Sequence, residues 1–230
     1  MMDINNLIKI IAAVFTFILA IIVGIRVYTL NPRESLNRWF TLFFISTSLG
    51  FLIYTIYHLI LDNQFVIVPL MVTAHIFFNF IPVSLVMTVF LLEKYKKGAM
   101  SFKYFGTMMI LFIIMSFGYL VWPPELNLTS YALGIVNTET PPFLFIFVNL
   151  IRAGLSIYVV YKYAMITKKM EGDIKKKVQL FFIGIIFVII AVIINLVGGI
   201  IEVVILEVIA LITIDIASIV ILKGFLLKSN

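Results

Sequence analysis

The chain contains no cysteine and only two histidines. The first absence excludes disulfides, thiolate catalysis and cysteine-ligated metals. The second argues against a metal centre, because His58 and His75 also sit at different depths along the apolar runs. Charge is scarce as well. Asp, Glu, Lys and Arg make up 12% of 230 residues, against roughly 25% in soluble domains. No Gly-rich phosphate loop, nucleophile elbow or His-Glu-x-x-His pattern occurs, and no nucleophile–base pair is evident, so an enzyme is not expected. No internal repeat stands out, and with it goes the inverted-repeat signature of transporters.

What is present is hydrocarbon. The chain is 63% hydrophobic, with mean hydropathy +1.18. This composition predicts an all-α membrane protein, a single transmembrane domain over residues 1–230. A span needs about 20 apolar residues. The runs supply seven: 7–27, 39–61, 65–92, 104–121, 143–161, 178–197 and 204–222. The last two share one apolar run, broken at Gly198-Gly199 beside Glu202. A cleaved signal peptide fits the first run poorly. Asp3 and a single lysine precede it, no small-x-small site follows, and arginines lie downstream. Pro32 stops the first helix, Ser35 restarts the second, Asp62-Asn63-Gln64 forms a turn, and Pro82 should kink the third span.

Basic residues set the orientation. Arg26, Arg33, Arg38, Lys94, Lys96, Lys97, Lys103, Lys162, Lys168, Lys169, Lys175, Lys176, Lys177, Lys223 and Lys228 fall in alternate links and the tail. The links between them carry Asp62, Glu125, Glu139 and Glu202 and no Lys or Arg. The positive-inside rule then places the N-terminus outside and the C-terminus in the cytoplasm of a multi-pass cell-membrane protein. The lysines meet an anionic inner leaflet, worth about 1 kcal/mol each near its surface, rather than a nucleic acid.

Arg152 stands in the middle of the fifth span, nine residues from Phe143, or roughly 14 Å along a helix. A central Arg is unfavourable by about 2.5–3.5 kcal/mol on insertion scales, so it should face protein or water. His75 and Asp215 fall at similar depth on spans three and seven. Asn79 shares a face with His75, and Asn149 with Arg152. The expected network is therefore His75, Asn79, Asn149, Arg152, Glu207 and Asp215. In it Arg152 pairs with Asp215, or failing that with Glu207. Such a network either lines a cavity or locks helices together. His75 is either a hydrogen-bonded packing residue or a pH sensor. Tyr54, Tyr57 and His58 form an outer rim. The long outer loop 123–142, bracketed by two Pro-Pro pairs, is apolar enough inside to fold back as a lid, the alternative being a plain connector. Asn127-Leu-Thr129 within it is a glycosylation acceptor sequence for a eukaryotic source.

Seven helices with an acid in the last invite comparison with microbial rhodopsins. Asp215 is followed one turn later by Ile219, and span seven holds no lysine before Lys223, so covalent retinal is excluded and no cofactor is expected. The chain more closely resembles the N-terminal seven-helix sensor region of prokaryotic histidine kinases. The likeness lies in the basic link feeding Asn37-Arg38-Trp39-Phe40, the long outer loop leading into Pro142-Phe143, the basic link before Lys177-Val-Gln-Leu-Phe-Phe-Ile-Gly184, and the near-loopless turn between spans six and seven. That resemblance implies perception of a small ligand or lipid in an outward-facing cavity, relayed through the last helix to a cytoplasmic kinase or regulator. The sequence ends at Asn230 with no phosphoacceptor or ATP-binding domain, which implies a stand-alone sensor. A small transporter or channel, and a structural subunit, alone or as a homo-oligomer, are the alternatives.

Overall fold

A backbone removed from water must satisfy its own hydrogen bonds, and a helix does so within one segment. The computed structural model describes residues 4–60, 63–132, 134–201 and 203–227. Asp3, Asp62, Glu202 and Lys228, used in the reading above, lie outside the described residues. The elements are α1 (Ile4–Leu30), α2 (Ser35–Leu59), α3 (Gln64–Ala99), α4 (Thr107–Val121), β1 (Glu125–Leu126), α5 (Leu128–Ala132), β2 (Thr138–Glu139), α6 (Pro142–Lys169), α7 (Gly172–Ile200) and α8 (Val204–Leu226). A π-helical turn, Phe102–Gly106, precedes α4. Seven helices, all but the short α5, are long and apolar enough to cross a membrane.

The helices extend past the apolar runs. α6 continues eight residues beyond 161, and α7 starts six before 178. Hydrophobicity marks the thickness of the oily layer, whereas the hydrogen-bond ladder runs on into the lysine-rich links. α3 absorbs most of its basic link and keeps helical dihedrals through Pro69 and Pro82. Its non-helical residue is Tyr95, at φ 55° and ψ 173°, so the dihedral break lies more than three turns beyond the expected kink. The α7–α8 break comes after Ile200 rather than at Gly198-Gly199. Gly198 is there for another reason: a Cβ would stand 3.0 Å from Leu206 Cβ, so it permits the close turn.

Neighbours in the chain pack antiparallel, and α1–α2–α3–α6–α7–α8 close a ring back onto α1. α4 rests mainly on α3. The links after α1, α3 and α6 and the end of α8 share one pole, the basic pole. α2 is stitched to α1 by side chains donating to its carbonyls: Asn37 to Val27 at 3.0 Å, Thr41 to Gly24 at 3.3 Å and Ser48 to Phe17 at 3.1 Å. With lipid as apolar as the core, such bonds and close packing hold helices together. Near the basic pole Phe40, Phe181 and Phe225 form an aromatic knot, with centroids 4.6–5.1 Å apart. Exposed residues line α1 (Ile11, Phe15, Ile18, Ile22) and α8 (Ile205, Ile209, Ile212, Ile216), giving each helix an apolar outer stripe.

At the opposite pole the 123–142 segment folds back on the bundle. β1 and β2 pair antiparallel, and Leu126, Tyr131 and Val136 pack against Tyr57, Ile67 and Met71. Asn127 is tied into this turn, donating to Glu139 at 3.2 Å and accepting from the Ser130 N–H at 3.0 Å.

The α7–α8 seam supplies a test. A Cβ on Gly184 would meet Ile221 and stand 3.1 Å from the Ala217 carbonyl oxygen, whereas one on Gly154 would meet nothing within 4 Å. Gly184→Leu is expected to destabilise the bundle by about 1–3 kcal/mol, read as a lower thermal midpoint in detergent. Gly154→Ala should leave that midpoint unchanged or slightly raised.

Candidate functional site

Three helices bring the central polar cluster together. α3 supplies His75 and Asn79, one turn apart; α4 supplies Ser116 and Tyr119; α6 supplies Arg152. Asn79 is fully buried, and its Oδ1 accepts two bonds from the guanidinium, from Nε at 3.1 Å and Nη2 at 2.7 Å. Its Nδ2 donates to Ser116 Oγ at 3.4 Å. The Tyr119 hydroxyl lies against the guanidinium. The Tyr119 ring stacks on His75, with centroids 4.4 Å apart and planes within 6°. His75 Nδ1 is buried with no hydrogen-bond partner among the described residues. Arg152 itself is half-buried.

The expected ion pair is not formed. Among the described residues Arg152 has no acidic partner, and Glu207 pairs with Lys9 instead. The reason is the order of helices round the ring. Asp215 and Glu207 lie on α8, which packs between α7 and α1, whereas Arg152 turns toward α3 and α4. Periodicity fixes depth along a helix but not which neighbour that depth faces. Asn149 shares the face of Arg152 yet donates to its own helix, to the Phe145 carbonyl at 2.9 Å, and joins no cluster.

The remaining candidates assemble into a second centre, on α1, α2 and α8. The Lys9–Glu207 pair bridges α1 and α8, and Lys9 Nζ lies 5.4 Å from the centroid of the Tyr54 ring. His58 packs between Tyr54 and Tyr57, with centroids 4.1 and 4.4 Å away, and its Nδ1 is 2.9 Å from the Tyr54 carbonyl. The rim residues are therefore largely buried in this centre rather than exposed around a mouth. Deeper on the same seam Asp215 faces Thr16. Asp215 Oδ1 and Thr16 Oγ1 are both buried and neither closes a hydrogen bond among the described residues.

Ser116, Tyr119 and Lys9 are the members of these clusters that sequence reasoning missed. Ser116 and Tyr119 are three apart in an otherwise apolar helix, which was a readable signal of one polar face. Nearer the basic pole α3 and α6 are joined again, by Thr88 and Tyr163 hydroxyls 2.8 Å apart and by Lys162 donating to Glu93 at 2.9 and 3.2 Å. A cleft of about 440 Å³ lies between α6 and α7, lined by Ala164, Lys168, Gln179 and Phe182, well away from Arg152. No group of three His, Asp or Glu able to hold a metal occurs among the described residues.

Comparison with known protein families, curated sequences and solved structures finds no match to this chain.

The geometry ranks two substitutions by what each takes from the guanidinium. Asn79→Leu strips the guanidinium of its bonded acceptor and should destabilise the protein by about 1.5–3 kcal/mol. Asp215→Asn strands no cation and should change stability by less than about 1 kcal/mol. Thermal unfolding of both variants in the same detergent checks the order.

Proposed function

We propose that the chain is a receptor-like multi-pass membrane protein, its basic pole in the cytoplasm, in which the Arg152 cluster receives a small ligand or lipid. The observation that carries this reading is the unneutralised guanidinium. A charge-paired lock joins a cation to an anion, and here, among the described residues, the cation meets only the neutral oxygens of Asn79 and Tyr119. An intramembrane charge left without a counter-charge marks a site or pathway even where its neutral hydrogen bonds also hold helices together. The cluster joins three helices, so occupancy at Arg152 acts on α3, α4 and α6 together, and the signal passes by way of α7 to α8 and a cytoplasmic kinase or regulator. This is the arrangement implied by the likeness to sensor regions of histidine kinases. The folded-back 123–142 segment serves as a cover over the α2–α3 end, and no catalytic step is assigned.

The transporter alternative draws on a different observation. Asp215 Oδ1 and Thr16 Oγ1 face each other, buried on the α1–α8 seam with no further partner among the described residues, as a proton-coupled pathway would need. Solute flux in proteoliposomes that is lost in Asp215→Asn would favour it.

Two measurements test the receptor reading, both helped by the absence of native cysteine. Asn137→Cys in intact cells should react with a membrane-impermeant maleimide, and Lys169→Cys only after permeabilisation; the reverse pattern overturns the orientation. Spin labels at Lys169→Cys and Lys223→Cys report the basic ends of α6 and α8. Their distance distribution should shift when delipidated protein is given total lipid extract, and should not shift in the Arg152→Gln background. Identical distributions in every state would leave only a static scaffold.

A further inference from the structure

The donors and acceptors at Arg152 do not balance. The guanidinium carries five N–H donors; two go to the single oxygen of Asn79 and another meets the Tyr119 hydroxyl oxygen, which leaves the set incomplete among the described side chains. That leaves donors on the guanidinium; the Tyr119 hydroxyl, accepting from it, keeps its own O–H to give, and His75 Nδ1 is buried without a partner among the described residues. Asn79 adds no further acceptor, because its remaining function is a donor already spent on Ser116. The cluster is rich in donors, positive, and short of oxygen. Its chemical complement is an oxyanion, which a guanidinium binds through two parallel bonds.

The surroundings say how such an anion arrives. α4 and α6 meet near their ends away from the basic pole, where Trp122 packs on Phe143 and a Cβ on Gly118 would strike Leu144. Beyond that they touch sparsely, each resting on α3 instead. Both helices carry exposed apolar side chains along this sparse contact's length: Ile110, Ile114 and Phe117 on α4, and Phe147 and Leu150 on α6. α6 is also the least buried of the seven spanning helices. A lone water-soluble anion would have to leave water to cross this hydrocarbon. An amphiphile enters with its tail still in it.

We infer that the Arg152 cluster binds the carboxylate or phosphate head of a single-chain amphiphile, entering sideways from the bilayer between α4 and α6. This inference rests on the ligand-site reading above and adds the chemical class. Arg152 pairs with the head, the Tyr119 hydroxyl and His75 supply the neighbouring bonds, and the chain lies along those exposed apolar side chains.

Binding to the purified full chain in neutral nanodiscs tests it with five probes: palmitate, hexadecyl phosphate, hexadecanol, hexadecylamine and acetate. Palmitate and hexadecyl phosphate should bind about tenfold or more tighter than hexadecanol and hexadecylamine, the difference a charge-assisted pair makes. Acetate should fail to displace palmitate, which separates a membrane source from a soluble one. Arg152→Gln should lose the preference. Tyr119→Phe, which removes one hydroxyl and keeps the ring stack, should weaken palmitate several-fold and hexadecanol not at all. If hexadecanol binds as tightly as palmitate and Asn79→Ala weakens both, the ligand site stands and its anionic character falls. If acetate competes as well as palmitate, lateral entry falls. If no probe binds at saturation, the site and its chemistry fall together.

Discussion

Two hydrogen bonds into one amide oxygen hold the centre of this bundle. A guanidinium in mid-helix cannot be left to lipid, and Asn79 on the facing helix gives it its bonded oxygen at 2.7 and 3.1 Å. That requirement sets which way α6 turns, and through Ser116 it recruits α4. The rest of α6 is mostly uncovered. Its register against α3 is fixed by a few polar contacts, at Asn79, Thr88 and Glu93, more than by broad apolar packing.

The opposite side of the ring is built by other means. α7 and α8 approach closely at Gly184, Gly198 and Gly224, and the aromatic knot of Phe40, Phe181 and Phe225 fills the space next to α2. The bundle thus has a closely packed half, α1, α2, α7 and α8, and, beyond the well-buried α3, a more open side at α4 and α6. Its charges follow the same division. The acids of α8 stay with α1 in the packed half, and the lone guanidinium stays on the open side.

Much of this was legible in the sequence. The seven spanning helices follow from run length, and His75, Asn79 and Arg152 from being polar where oil is expected. Their partners were harder to read. Equal depth suggested Arg152 with Asp215, but depth is a coordinate along one axis, and the circular order α3–α6–α7–α8 depends on packing between residues far apart in the chain. The Lys9–Glu207 pair likewise depends on α1 standing beside α8, which periodicity within either helix does not encode. Helix ends were misplaced because side-chain hydropathy stops at the headgroups while backbone bonding does not. Pro82 likewise marks a missing N–H, whereas the dihedral break at Tyr95 has no comparable residue-type signal.

The contact between α1 and α8 also bears on the order in which the molecule matures. Lys9 and Glu207 stand about two hundred residues apart in the chain, so their encounter closes a very long loop. During synthesis α1 is made long before α8 exists, and Lys9 waits without its acid. The seam between them is necessarily among the last to close, after the hairpins of neighbouring helices have formed. A nascent chain halted before α8 would therefore present a basic side chain early in α1 without the Glu207 carboxylate to meet it, a feature that quality-control proteases can recognise.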